Sequence, residues 1–250
     1  MSRTTVAGWA CVLLLAASGC TSEDPGVSLD LGLVHQQPSS SLSGLPRSLT
    51  GPGGLAITVT RGWVNVGAVE IFACPPTAFR QLLRFLDPLG VAEAHIPGSP
   101  TKIGVPHVDD LARPDGQPID FGTLTPPADT YCQAKVSLDA ADADAVGLPA
   151  PSVVPMDGNT IWIEGFVTPP GGGSEQDFTL TSAVEADGQV PFLSASGAAS
   201  PIALTSAGTA RSARIVLRYD RWFASIDPRS AGAADALVSA IAQTLEVHAE

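Results

Sequence analysis

Apolar and polar residues alternate with period two along much of the chain from residue 27 onward. Val27, Leu29, Leu31 and Leu33 alternate with Ser28, Asp30 and Gly32, the mark of a half-buried strand. Leu55, Ile57 and Val59 repeat the pattern against Ala56, Thr58 and Thr60. Arg61-Gly62 marks a bend, and Gly67 breaks the phase between Val64-Asn65-Val66 and Val69-Glu70-Ile71, as a bulge does. Pro75-Pro76 ends that run, because proline has no N–H to give a ladder. Further strands are predicted at 119–121, 132–138, 161–167, 178–184, 202–204, 214–219 and 245–248.

Helical spacing occurs twice. Phe79, Leu82, Leu83 and Leu86 predict a short helix near 77–87. Ala234, Leu237, Val238 and Ile241 predict a second near 231–243, with Ser230 as N-cap. Residues 35–53 are rich in Ser, Pro and Gly and offer few apolar anchors, so a mobile loop is expected there. Together these read as a mainly β fold: an antiparallel β-sandwich or open barrel with two short helices, in a single domain over 27–250.

The N-terminus changes the picture. Arg3 precedes an apolar run over 6–17 that is too short to span a bilayer and has the form of an export signal. The run ends in Ala17-Ser18-Gly19-Cys20, which resembles the bacterial lipobox. That resemblance implies that residues 1–19 are a lipoprotein signal peptide, that Cys20 carries the lipid, and that 20–26 is a tether. Thr21, where Asp would favour inner-membrane retention, implies the outer membrane. The expected location is the cell envelope, with the membrane as a partner through the lipid and an envelope protein or surface ligand as a possible second.

Without residues 1–19 and their single charge, Arg3, the chain has 231 residues, 12 basic and 25 acidic, a formal charge of −13. This argues against nucleic acid, whose phosphates attract basic surfaces. Lysine occurs only at Lys102 and Lys135.

Residues 55–74, the turn and strand start Pro126-Pro127-Ala128-Asp129-Thr130-Tyr131, and residues 214–219 resemble uncharacterised bacterial lipoproteins. In these a β-sandwich of the pilin or transthyretin kind often carries a Pro-x-Gly-x-Tyr turn before a strand. Asp129 stands where glycine is commoner. The resemblance implies a fold and an envelope location, and no functional residue.

Chemistry-bearing residues are sparse. Cys11 lies in the signal and Cys20 takes the lipid, leaving Cys74 and Cys132 as one pair in a chain bound for an oxidising compartment. A disulfide is expected, with two buried thiols or a two-thiol metal site as alternatives. Cys132 shares the inward parity of Ala134, Val136 and Leu138; Cys74 is opposite in parity to Val69 and Ile71. His95 and His107, with Asp109 close by, are candidate zinc or copper ligands, though their spacing matches no compact motif. Asp139, Asp142 and Asp144 suggest calcium, but the EF-hand positions that follow hold Val146 and Val153. Trp63, Trp162 and Trp222 could stack on sugar rings if one face gathered them; core packing is the plainer reading. Residues 218–223 could form a functional surface or a strand end packed by its own salt bridges. Ser99 and Lys102 match Ser-x-x-Lys in a proline-crowded segment without its partner motifs. The reading is a non-enzymatic envelope module, structural, adhesive or partner-binding, with no cofactor. The alternative is a copper- or zinc-binding lipoprotein.

Overall fold

The computed structural model describes residues 27–36, 44–75, 99–205 and 210–250. The expected helix at 77–87, His95, Cys20 and the signal and tether lie outside these residues. Period-two alternation becomes strands where it was expected. The chain runs β1 (Ser28–His35), β2 (Arg47–Thr50), β3 (Ala56–Val66), β4 (Ala68–Ala73), β5 (Lys102–Ile103), β6 (His107–Asp110), β7 (Ile119–Leu124) and β8 (Asp129–Leu138). It continues through β9 (Ile161–Thr168), β10 (Gln176–Ser182), β11 (Ala186–Leu193), β12 (Ile202–Leu204), β13 (Ala210–Leu217), α1 (Ala233–Thr244) and β14 (Glu246–Ala249).

Two sheets form. The larger has the order β5-β4-β8-β11-β14-β13-β1-β7, with β12 also on β8, and its end strands β5 and β7 approach each other so that it nearly closes. The smaller runs β10-β9-β3-β2, with β6 also on β3. This is the mainly β, sandwich-or-open-barrel class expected. Two pairings, β1 with β13 and β11 with β14, are parallel. Alternation is the same for either direction, so the sequence pattern could not distinguish them.

Gly67 is more than a bulge. The chain leaves the small sheet at β3 and enters the large one at β4 there, with the Gly67 N–H donating to the Ser137 carbonyl. A Cβ at this corner would stand 2.3 Å from Asp139 Oδ2, so only glycine fits. The bulge falls instead in β3 between Val59 and Arg61, close to the predicted bend.

The loop expected over 35–53 is shorter than that. His35 ends β1, and Arg47–Thr50 pairs with β3 as β2. Arg47 and Leu49 point inward and Ser48 and Thr50 outward, a four-residue alternation hidden among Ser, Pro and Gly. Residues 37–43 lie outside the described chain. The C-terminal helix begins at Ala233 with Gly232 as N-cap and no side-chain cap. Ser230 is not the cap; its hydroxyl donates to the Asp227 carbonyl. Leu237, Val238 and Ile241 bury one face of α1 in the core.

One large cluster of buried side chains fills the space between the layers, and a satellite gathers Trp63, Val108, Ala141, Ala145, Val154 and Met156. No helix among the described residues is long and apolar enough to cross a membrane.

Candidate functional site

Aliphatic strands converge at one end of the core on a group of charged side chains. β1 delivers His35 and β2 delivers Arg47. β6 delivers Asp109, the segment after it Arg113 and Asp115, and the turn after β13 Tyr219. His35, Arg47, Asp109 and Tyr219 are each at most 1% exposed. Burying charge costs several kcal/mol per ion unless every lone pair and proton finds a partner, and here the partners are present.

His35 Nδ1 lies 2.7 Å from Asp109 Oδ2, and Nε2 lies 2.9 Å from the Arg113 carbonyl oxygen. Both neighbours are acceptors when Asp109 is ionised, so the imidazolium satisfies both contacts at once. Arg113 also donates to Asp109 Oδ1. Burial pushes the Asp109 carboxyl up. The His35 hydrogen bond and the charges of His35 and Arg113 outweigh it and hold the group below its ordinary value.

Arg47 spreads its donors over four groups. Nε and Nη2 reach the Leu111 carbonyl at 3.1 and 2.8 Å, and Nη2 also reaches the Arg113 carbonyl at 3.0 Å. Nη1 donates to Tyr219 Oη at 2.6 Å and to Asp115. Tyr219 in turn donates to Asp115 Oδ2 at 2.5 Å, and the Arg47 guanidinium lies 4.4 Å from the Tyr219 ring centroid. The network thus ties β1, β2, β6, the 111–118 segment and the turn after β13.

Asp109 was a candidate metal ligand; both its oxygens are taken by His35 and Arg113. His107 faces elsewhere. It is buried, its Nδ1 pairs with the Val105 carbonyl at 2.9 Å, and its ring lies 4.5 Å from that of Phe121. Among the described residues, no group of three or more His, Cys, Asp or Glu could hold a metal ion. His95 lies outside them. Asp139, Asp142 and Asp144 do not converge either: Asp142 accepts from the Asp144 backbone N–H, as a turn does.

The structure forms the Cys74–Cys132 disulfide, with Cα atoms 4.8 Å apart. Its setting differs from the inward one expected. The β4–β8 register skips Cys132, so Tyr131 takes the buried side and both cysteines are half-buried. Residues 218–223 follow the salt-bridge reading: Arg218 pairs with Asp220 and Glu246, and Trp222 and Phe223 are core. Trp63 and Trp162 are directly opposite each other in the β3–β9 pairing, whereas Trp222 lies in the main core. Among the described residues, Trp222 Nε1 and Asn65 Oδ1 are buried without a hydrogen-bond partner. Ser99 Oγ bonds with Thr101 Oγ1.

No family model and no curated protein matches the sequence. Among solved structures the fold is similar to MbnP from Methylosinus trichosporium, over 90% of this chain and 98% of that one, at 13% identity and a TM-score of 0.38. No residue role is carried over from it.

The sequence marks Asp109 as a candidate ligand and Tyr219 within residues 218–223, and does not mark His35, Arg47, Arg113 or Asp115. One signal was present. His35 continues the inward parity of Leu29, Leu31 and Leu33, and Arg47 has the parity of Leu49. A charged residue in phase with a core stripe is a buried charge that needs a partner.

Proposed function

We propose that the chain is an exported, lipid-anchored, non-enzymatic module of the cell envelope that serves as a structural, adhesive or partner-binding domain. The observation that carries the reading is the Cys74–Cys132 bond. Disulfides persist in oxidising compartments, which supports the export implied by the apolar run over 6–17 and the lipobox-like ending at Cys20. The buried network supports a scaffold role. Its ions are turned onto one another and onto backbone carbonyls, and Arg113, at 22% side-chain exposure, is its most open member. Arg47 is buried under Tyr219 rather than presented to a substrate.

The test is fractionation with a radiolabelled fatty acid. Wild type carries label and sediments with outer membranes; Cys20→Ser carries none and is soluble. Unlabelled wild type that still sediments with membranes would overturn the anchor.

A second reading, a copper- or zinc-binding lipoprotein using His95 and His107, has one observation in favour. His107 Nδ1 is held by the Val105 carbonyl, which orients the ring and leaves the Nε2 lone pair as the one a metal would use. Elemental analysis of purified protein after dialysis tests it. Stoichiometric copper or zinc that is lost in His107→Ala supports this reading, and metal-free wild type overturns it.

A further inference from the structure

The larger sheet is joined in its middle by a strand that enters late in the sequence. β11 and β13 are not hydrogen-bonded to each other; β14 lies between them, parallel to β11 and antiparallel to β13. Val247 stands opposite Phe192 on one side and Ile215 on the other. Among the described residues, β14 is the one hydrogen-bonded link between the β5-β4-β8-β11 half of this sheet and the β13-β1-β7 half.

α1 extends the link to the small sheet. Ser182, the last residue of β10, donates to Asp235 in the first turn of α1 at 2.7 Å. Residue 188 on β11 is glycine, and a Cβ there would stand 2.5 Å from the Ala242 carbonyl oxygen, so the helix lies directly against that strand. Leu237, Val238, Ile241 and Val247 are each 0% exposed and belong to the main core. Glu246 accepts from Arg218 at 2.8 Å and from Arg221 at 3.2 Å, which ties β14 to the turn after β13. Residues 233–249 therefore hold both halves of the large sheet and one edge of the small one.

We propose that residues 233–249 are a folding clasp: the native fold forms only when this segment docks, so that the chain stays unfolded through synthesis and export and folds afterwards. This rests on the reading of the chain as exported. Without the segment, two strand edges with unpaired N–H and C=O groups open in the middle of the large sheet, and the core loses four fully buried aliphatic side chains. The net stability of a domain is a small margin between large terms, and each such side chain is a sizeable part of it, so the rest of the chain is left without a margin. Strand order supplies the delay. β1 pairs with residues 210–217, and the two half-sheets join only through residues 246–249. A chain threaded through an export channel must be extended, and a fold completed early would jam it.

Native-state hydrogen exchange on the full-length wild type tests the clasp. Expected is that the most protected amides of α1 and β14 exchange within about threefold of the slowest amides of β1 and β8, as when a segment opens only with the whole domain. Amides of α1 and β14 that exchange more than about tenfold faster, while β1 and β8 stay protected, would show a segment that opens alone and would overturn the proposal. Val247→Pro in the full-length chain is the second measurement, because proline has no N–H to give either neighbour of a central strand. Expected is a chain without native near-ultraviolet circular dichroism that thermolysin cuts throughout; a resistant core spanning residues 27–217 would overturn the proposal. Acyl labelling of the wild type judges the export reading separately. An unlabelled protein with a single cooperative opening overturns the exported reading and leaves the clasp as a property of the fold. A labelled protein whose α1 and β14 open alone overturns the clasp and leaves the export.

Discussion

Asp109 accepts a 2.7 Å hydrogen bond from His35, 74 residues away in sequence, and neither side chain is exposed at all. The pair joins β1 to β6, strands that belong to different sheets, so it acts as a cross-layer fastening made of charge rather than of apolar contact. Its strength depends on completeness. Breaking a buried pair from one side leaves an unpaired ion, which costs about 3–5 kcal/mol.

Asp109→Asn should therefore destabilise the protein by roughly that amount in urea unfolding. It should also flatten the acid limb of the stability profile. The folded Asp109 carboxyl titrates below its ordinary value, and the unfolded one near that value. Its contribution is thus fully present above the ordinary carboxylate value and is lost as pH falls from there through the folded value. Wild type and variant should converge over that acid range and differ most near neutrality. A wild-type-minus-variant difference that does not shrink on acidification would refute this account.

Arg47 should tolerate neither truncation nor the lysine exchange. Its planar guanidinium serves Leu111, Arg113, Asp115 and Tyr219 together, and three donors on one ammonium cannot reproduce that fork. Arg47→Ala should cost about 3 kcal/mol or more, and Arg47→Lys should recover less than half of the loss in thermal unfolding. A lysine variant as stable as wild type would show that only the charge matters.

The strands and the second helix could be read from the chain because each carries several residues in one phase, as β1, β9, β10 and α1 do. β2 could not, since four residues embedded in a Ser/Pro/Gly stretch make too short a pattern. Parity failed at Cys132 because a register shift there exchanges the faces of the strand, and nothing in the local sequence announces it. The parallel neighbours β1 and β13, about 180 residues apart in sequence, are chosen by tertiary packing. The buried network is assembled from four stretches of chain, around residues 35, 47, 109–115 and 219, so no spacing rule reaches it; only the inward phase of His35 and Arg47 hinted at it.

The Cys74–Cys132 bond closes 58 residues of chain. In the chain-entropy model a loop of that size contributes about 4 kcal/mol by restricting the unfolded state. The double substitution to alanine should lower stability by about that amount without changing the native circular dichroism, because both cysteines are half-buried and leave no core cavity. Oxidised, denatured protein should titrate no thiol from this pair. A loss well under 1 kcal/mol would mean that the unfolded chain is already restricted.

The bulge in β3 makes a last claim, about Gly165. β9 passes so close to β3 at this point that a Cβ on residue 165 would stand 2.0 Å from the Thr58 carbonyl oxygen and 3.0 Å from Phe178 Cζ. The first neighbour is backbone held in the β3–β9 ladder and cannot swing aside as a side-chain tip can. The second belongs to the main core. The register shift between Val59 and Arg61 begins beside this contact, so separating the strands would disturb the bulge as well. Gly165→Ala should therefore cost about 1–3 kcal/mol, as overpacking does, and should move the amide resonances of Thr58, Val59 and Thr60. Gly104→Ala is the comparison, because an added Cβ there meets nothing within 4 Å; its effect should stay within about 0.5 kcal/mol. Equal stability of the two variants in urea would mean that β3 and β9 are not held at this separation.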